Sequence, residues 1–186
     1  MTNPPRMRAD DSGPWTVDDL PGLPEAYRYE IFDGSLLVTP PPATPHVNTL
    51  YRLRRTLDRQ APSGFAVVTE GWGVYANERN YYIPDLLIAD EALLVAGGSG
   101  ISPKDVLVAV EVVSPSNPAN DLLLKRLVYA DLGIPEYWIV DGRDASLTVL
   151  QLDAGKAYSE TAICRPGHRW LADKPFPLAI DPGELF

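Results

Sequence analysis

The chain has 186 residues, of which 45% are hydrophobic, and a formal net charge of −9. This length and composition predict one domain with its own core and exclude general disorder. The negative charge argues against a protein that coats nucleic acid by general electrostatic attraction, because phosphate binding needs basic surface. It leaves open an enzyme with a local basic patch, or a site whose carboxylates surround a cation.

Signals for targeting and compartment are few. The single cysteine, Cys164, excludes an internal disulfide framework and a cysteine-based zinc site, and it fits a reducing compartment. No apolar run approaches the ~20 residues that cross a membrane, and the N-terminal stretch lacks the apolar segment of a secretory signal. We therefore expect a cytoplasmic protein without membrane contact, with a flexible tail at residues 1–14 and a single domain at residues 15–186.

The N-terminal part predicts a helical turn and then a hairpin. Thr16 and Asp19 occupy the two positions of a capping-box-like start. In YRYEIFDGSLLVTP, the dipeptide Asp33-Gly34 lies between two strand-like runs, which is a strong signal for a tight hairpin turn.

A helix is predicted next, capped by Thr44, begun by Pro45 and ending near Gln60. Leucines recur on one side of it with helical periodicity, and arginines recur on the opposite side. The leucines are Leu50, Leu53 and Leu57. The arginines are Arg52, Arg55 and Arg59.

The rest of the chain alternates between extended stretches and one helix. FAVVTEGWGVYA, YYIPDLLIA and DVLVAVEVV look extended, NDLLLKRLVYADLG looks helical, and EYWIVD looks extended again. SLTVLQL and SETAIC follow as a β-ribbon. A strand–helix–strand order needs a crossover, so part of the sheet is expected to be parallel. The predicted class is α/β (α+β), with a mixed β-sheet flanked by helices, an N-terminal hairpin and a C-terminal β-ribbon.

Two carboxylates interrupt apolar strands: Asp85 at the start of one and Glu111 inside another. Burying an unpaired charge is costly, so each needs a partner. Two carboxylates aimed at one point repel unless a cation lies between them, and Mg²⁺ suits such oxygen ligands. The alternative is that each carboxylate is paired with an arginine or with backbone donors.

Lys125 lies on a helix that is apolar nearly all round, among Val128, Tyr129 and Leu132 by helical wheel. Its ammonium could extend to the edge of the helix and reach water. Alternatively it reaches Asp85 and Glu111, where it would neutralise charge, position a water or stabilise a phosphate.

Three stretches carry a family resemblance: YEIFDGSLLVTPPPATPH (29–46), IPDLLIA (83–89) and VEVVSPSNPANDLLLKRLVYADLGIPEYWIVD (110–141). They resemble the PD-(D/E)XK nuclease superfamily and, within it, the Uma-two family of restriction-endonuclease-like proteins of bacteria. The resemblance covers about residues 15 to 150 and implies a restriction-endonuclease-like fold.

The resemblance also implies roles for individual residues. It implies that Asp85 and Glu111 are Mg²⁺ ligands. The superfamily usually has a lysine two residues after the glutamate, where this chain has Val113. The resemblance implies that Lys125 takes over this role from the following helix. Glu30 and His46 also match positions typical of the family.

Other candidates have simpler explanations beside the functional ones. Glu30 could join the acidic site or be a solvent-facing hairpin charge, and His46 could bind substrate or be a hydrogen-bonded residue of the first helical turn. Glu70 is a weaker possible ligand. The stripe of Arg52, Arg55 and Arg59 could hold a DNA backbone or be a solvated face. Ser114 and Ser116 flank Pro115 and are interpreted as turn residues.

The predicted function is a Mg²⁺-dependent endonuclease, with Mn²⁺ as a possible substitute, that hydrolyses DNA by a metal-activated water. No zinc motif, P-loop or dinucleotide fingerprint is present, so no organic cofactor is expected. A homodimer would suit the cutting of both strands. The alternatives are a non-catalytic module that binds nucleic acid or protein on the same fold, and a hydrolase of another phosphate ester.

Overall fold

The structure is a computed structural model that describes residues 13–69, 71–95, 100–113, 119–154 and 156–186. Nearly all of the predicted tail at 1–14 lies outside these ranges, as do Glu70, Ser114 and Ser116. Within the described ranges, no helix is long and apolar enough to cross a membrane.

The strands are numbered in chain order. They are β1 (Arg28–Phe32), β2 (Ser35–Thr39), β3 (Phe65–Thr69), β4 (Gly73–Asn77), β5 (Asn80–Tyr82), β6 (Leu86–Asp90), β7 (Gly100–Ile101), β8 (Val106–Val113), β9 (Glu136–Asp141), β10 (Ser146–Leu152), β11 (Tyr158–Cys164), β12 (Trp170–Ala172) and β13 (Leu178–Ile180). The α-helices are α1 (Thr44–Asp58), α2 (Glu91–Val95) and α3 (Ala119–Asp131). Short 3₁₀ turns span Val17–Gly22, Pro103–Asp105 and Pro182–Leu185.

The main sheet has six strands in the order β11-β10-β9-β8-β6-β3. Its β8–β9 pair is parallel and is joined through α3, whereas its other pairs are antiparallel. A smaller sheet has the order β2-β1-β5-β4-β7, and β12 pairs with β13. The predicted mixed sheet is therefore confirmed, and the predicted C-terminal ribbon, β10 with β11, extends the main sheet from β9.

Two hydrophobic clusters lie on opposite faces of the main sheet. One contains the buried leucines of α1 and the C-terminal segments, packed on residues such as Val110 and Trp138. The other contains Tyr129 of α3 and Val74 of the smaller sheet, packed on residues such as Ala109. The strand period of two assigns alternate residues of β8 to the two faces. From Val108 onward, the odd-numbered positions of β8, which include Glu111, therefore face α3.

The predicted hairpin and capping box are confirmed. Asp33 and Gly34 both have positive φ, of 45° and 79°, as the turn between β1 and β2 requires. The backbone N–H of Thr16 donates to Asp19 over 2.9 Å. The predicted cap of α1 is wrong by one residue: the N-cap is Ala43, which has no side-chain bond, and the helix begins at Thr44 with Pro45 second.

Two stretches predicted as continuous strands are each divided between the sheets. YYIPDLLIA leaves the smaller sheet after Tyr82 and enters the main sheet at Leu86, because Pro84 has no N–H to donate to a ladder. FAVVTEGWGVYA is likewise divided into β3 and β4. This division places Asp85 at the junction of the two sheets.

Candidate active site

The pairing of β6 with β8 brings Asp85 and Glu111 together. Leu86 lies opposite Val110 in this antiparallel ladder, and Asp85 and Glu111 are the next residues of the two chains beyond this pair. Their side chains have different partners: Glu111 contacts Lys125 of α3, whereas Asp85 contacts Arg28 and lies beside His46 of α1. Both carboxylates are buried, with about 3% exposure each. The strand register therefore brings the two residues to neighbouring positions, and their shared role as metal ligands stays a prediction.

Asp85 has three partners among the described residues. Its Oδ2 accepts a hydrogen bond from the Val112 backbone N–H over 2.8 Å. Its Oδ1 accepts one from Arg28 Nη1 over 2.8 Å and lies 3.4 Å from His46 Nε2. Burial acts to raise the pKa of Asp85, but the hydrogen bond from His46 and the Arg28 charge outweigh burial and hold that pKa well below its usual range. Asp85 is therefore ionised at neutral pH.

In the described part of the chain, Glu111 has two partners on the same oxygen. Its Oε1 accepts hydrogen bonds from Lys125 Nζ and from the Tyr129 hydroxyl, each over 2.9 Å. Burial raises the pKa of Glu111 to about 8, the Lys125 ammonium opposes this rise, and the Asp85 and Glu30 carboxylates add to it. Glu111 thus takes up a proton far more readily than Asp85 does.

Lys125 is fully buried and does not extend to water. Its ammonium lies 2.9 Å from Glu111 Oε1 and 3.3 Å from Glu30 Oε1. Burial acts to lower the pKa of Lys125, but these two carboxylates outweigh burial and raise it. Within the described residues Lys125 forms no ion pair with Asp85. The lysine therefore joins Glu111 to Glu30, and Asp85 is paired with the Arg28 cation instead.

Glu30 is buried inside this cluster and is not a solvent-facing hairpin charge. Its Oε1 accepts a hydrogen bond from the Ile83 backbone N–H over 2.8 Å. Its Oε2 has no hydrogen bond among the described residues and lies 3.9 Å from Arg28 Nη2. The interpretation of Glu30 as a further acidic member of the site is the one that matches its position.

Arg28 and Tyr129 belong to the cluster and were not predicted as functional. Arg28 contacts Asp85 and Glu30, whose charges outweigh the effect of burial and raise the pKa of Arg28. The alternation RYEIF could have indicated Arg28, because residues two apart on a strand share a face. Tyr129 lies one helical turn after Lys125, so both side chains reach Glu111.

The cluster contains more carboxylates than permanent cations: Glu30, Asp85 and Glu111 against Arg28 and Lys125. Its oxygen donors suit a hard divalent cation, and Glu30 Oε2 is a buried acceptor that has no hydrogen-bond donor in the described part of the chain. As the side chains stand, however, the described residues contain no group of three His, Cys, Asp or Glu residues that could hold a metal ion. The two cations already occupy the spaces between the carboxylates.

A groove of about 1460 Å³ gives access to one side of the cluster. Asp85, His46 and Arg28 line it, whereas Glu30, Glu111 and Lys125 are not among its lining residues. Its walls are mostly apolar, aromatic and proline side chains: Leu37, Pro40, Pro41, Pro42, Tyr27, Tyr75 and Tyr81. Among the described residues that line it, Arg28 is the only lysine or arginine.

His46 lies in the first turn of α1, and its contact with Asp85 brings it into the site. The arginine stripe does not reach the cluster. Arg52, Arg55 and Arg59 are exposed on the side of α1 away from its buried leucines, and Arg52 donates to the Phe186 backbone carbonyl. Their role in holding DNA stays a prediction.

Comparison with known proteins gives one family and one fold. The Uma2 family model, described as "Putative restriction endonuclease", matches residues 16–182. A solved structure titled as "a putative nuclease belonging to DUF820" from Anabaena variabilis is 16% identical, with a TM-score of 0.71 over 93% of this chain and 98% of that chain. No curated protein matches the chain. The chain therefore belongs to the Uma2 family, and this membership supports a nuclease role.

Proposed function

We propose that the chain is a Mg²⁺-dependent endonuclease that hydrolyses phosphodiester bonds of DNA, with Mn²⁺ as a possible substitute. The observation that carries the proposal is that Asp85 and Glu111 lie at neighbouring positions just beyond the Leu86–Val110 pair, both buried, with Lys125 bonded to Glu111 over 2.9 Å. A structural ion pair does not require a third buried carboxylate, and Glu30 supplies one whose Oε2 accepts no hydrogen bond among the described residues.

Asp85 and Glu111, with Glu30 beside them, are the residues that would hold the ion. A bound divalent cation would polarise the scissile phosphate and lower the pKa of a water molecule. Asp85 presents its carboxylate to the groove, where the substrate phosphate would lie. Lys125 compensates the charge of Glu111 from the buried side and fixes its orientation. His46 lines the groove beside Asp85, so it is placed to contact the substrate.

A chain with one such cluster would cut a duplex more readily as a homodimer, so we include a second copy in the proposal, with the cytoplasm as its compartment. Light scattering with and without DNA checks the dimer. A constant monomer mass under both conditions would remove the second copy from the proposal.

A second candidate is a module that binds DNA or protein in the groove without cutting. Two observations favour it: Arg28 and Lys125 already neutralise the carboxylates, and the groove walls are largely apolar. Phosphate binding usually needs several cations, and the described lining residues include one.

Cleavage of supercoiled plasmid and of single-stranded DNA with Mg²⁺, Mn²⁺ or EDTA tests the first candidate. We expect metal-dependent cutting by the native chain and a loss of at least about a hundredfold in Asp85→Asn and Glu111→Gln, a size typical of removing one such group. The matched control is Glu136→Gln, which changes another buried carboxylate of the main sheet, bonded to Trp138. Equal cutting by all four proteins would indicate a contaminant.

If the native chain does not cut, metal binding and DNA binding separate the candidates. DNA binding without any Mn²⁺ binding would support the non-catalytic module. Small phosphodiesters offered beside DNA test the remaining alternative, a hydrolase of other phosphate esters.

A further inference from the structure

Two cations, Lys125 and Arg28, bind the carboxylates of the candidate site, and the surroundings of the two cations differ. Lys125 is fully buried, with Glu111, Glu30 and the Ile83 carbonyl around its ammonium. The Arg28 side chain is 24% exposed and lines the groove. Lys125 is therefore a fixed part of the interior, and Arg28 can exchange its contacts for solvent or for a molecule in the groove.

Among the described residues, the Arg28 side chain makes fewer hydrogen bonds than it has N–H donors. One hydrogen bond of 2.8 Å joins Nη1 to Asp85, the approach of Nη2 to Glu30 is 3.9 Å, and the buried Nε has no hydrogen bond among the described residues. A guanidinium offers five N–H donors, and an unmet buried donor costs free energy. The hydrogen-bonding capacity of the Arg28 guanidinium is thus only partly satisfied by the described residues.

Arg28 also occupies the oxygen that a metal would use. The Val112 N–H holds Asp85 Oδ2, so Oδ1, which Arg28 bonds and which lies 3.4 Å from His46 Nε2, is the oxygen of Asp85 left for a ligand from the groove. Mg²⁺ binds oxygen at about 2.0–2.1 Å, and a guanidinium bonded to the same atom repels the ion. A metal at Oδ1 therefore competes with the present Arg28 contact.

We propose that Arg28 is an exchangeable cation: it closes the metal-free site by occupying Asp85, and it releases Asp85 when a divalent cation binds. The freed guanidinium then points into the groove and binds a phosphate of the substrate. This inference rests on the metal-dependent function proposed above. It assigns Arg28 two opposite effects, because the residue weakens metal binding and strengthens substrate binding.

The first effect is that Arg28 weakens metal binding. Titration of the full chain with Mn²⁺, with the free ion measured by electron paramagnetic resonance, tests it without any activity measurement. We expect Arg28→Gln to bind Mn²⁺ at least about tenfold more tightly than the native chain, because one charge-assisted hydrogen bond no longer competes. The matched control is Arg143→Gln, which removes an exposed arginine bonded to Asp141 in β9 of the same sheet, and it should bind Mn²⁺ like the native chain.

Arg28→Lys keeps the charge but loses the fork that spans two carboxylates. Its Mn²⁺ affinity is expected between those of the native chain and Arg28→Gln. Affinity equal to or below the native value in Arg28→Lys overturns the proposal, even if Arg28→Gln does not fold.

Binding of fluorescein-labelled single-stranded DNA, measured by anisotropy with Ca²⁺ in place of Mg²⁺, tests the second effect. We expect Arg28→Gln to weaken DNA binding several-fold although it tightens Mn²⁺ binding. If Arg28→Gln weakens both DNA binding and Mn²⁺ binding, or weakens neither, the proposed exchange is overturned.

The outcomes separate this inference from the proposed function. Equal Mn²⁺ affinity in the native chain and both variants defeats the role of Arg28 alone. An absence of Mn²⁺ binding in all of them defeats the metal-dependent function as well. Binding only after Arg28 is replaced would support the exchange strongly.

Discussion

A buried lysine is tolerated only where carboxylates meet it, and Lys125 meets Glu111 and Glu30. Lys125→Met leaves both carboxylates buried without their ammonium, which typically costs about 3–5 kcal/mol. We therefore expect the free energy of unfolding to fall by about this amount in urea denaturation. The control is Lys104→Met, at an exposed lysine, which should change stability by less than about 0.5 kcal/mol. A native-like stability of Lys125→Met would show that the ion pairs contribute little.

The members of this cluster differ in how far they could be predicted. Asp85, Glu111 and Lys125 stand out because charges in apolar surroundings need partners. Strand alternation places Arg28 on the same face as Glu30, but it does not show that Asp85, 57 residues later, lies beside it. The pairing of Ile31 with Tyr81, which joins the hairpin to β5, brings Arg28 to the site. Local periodicity does not show which distant strands pair with each other.

At the scale of elements, the β1–β2 hairpin delivers Arg28 and Glu30, and its turn depends on Gly34. This glycine has φ of 79°, and a Cβ there would lie 2.5 Å from the Pro14 Cβ. Gly34→Ala should lower the free energy of unfolding by about 1–2 kcal/mol for the left-handed backbone and further for the collision. Thermal and urea unfolding measure both contributions together.

Gly64→Ala is the matched control for the hairpin. Gly64 has φ of 94°, and a Cβ added at this position would have no heavy atom within 4 Å, so alanine there meets backbone strain without a collision. The two variants should differ, with Gly34→Ala the less stable. Equal losses would mean that the Pro14 segment moves aside freely.

Turn chemistry and helical periodicity predicted the elements well, and the boundaries between sheets were missed. Asp33-Gly34 and the leucines of α1 behave as their local patterns require. By contrast, YYIPDLLIA has the sequence pattern of one strand, whereas in the folded structure its two halves belong to different sheets. Periodicity reports which face a residue occupies and not which strand lies beside it.

At the scale of the whole molecule, the carboxylates of Asp85 and Glu111 should affect stability in opposite pH ranges. The pKa of Asp85 is lowered on folding, so its contribution is present above its ordinary value of 3.8 and is lost in acid. The pKa of Glu111 is raised from 4.5 to about 8, so its contribution is full below 4.5 and is lost as pH rises through about 8. In the metal-free protein, the combined contribution of Asp85 and Glu111 should be greatest near pH 4.5, the lower end of the range from 4.5 to about 8.

Glu111→Gln tests this whole-molecule effect. Because folded Glu111 keeps its proton where the unfolded chain has released it, the folded state binds more protons and the free energy of unfolding falls with rising pH. With EDTA present, the native chain should lose more stability between about pH 5 and about pH 8.5 than Glu111→Gln does, as measured by urea denaturation. Glu160→Gln, at an exposed strand position, should retain the native slope. Parallel slopes in the native chain and Glu111→Gln would show that Glu111 is ionised throughout, with Lys125 holding its charge.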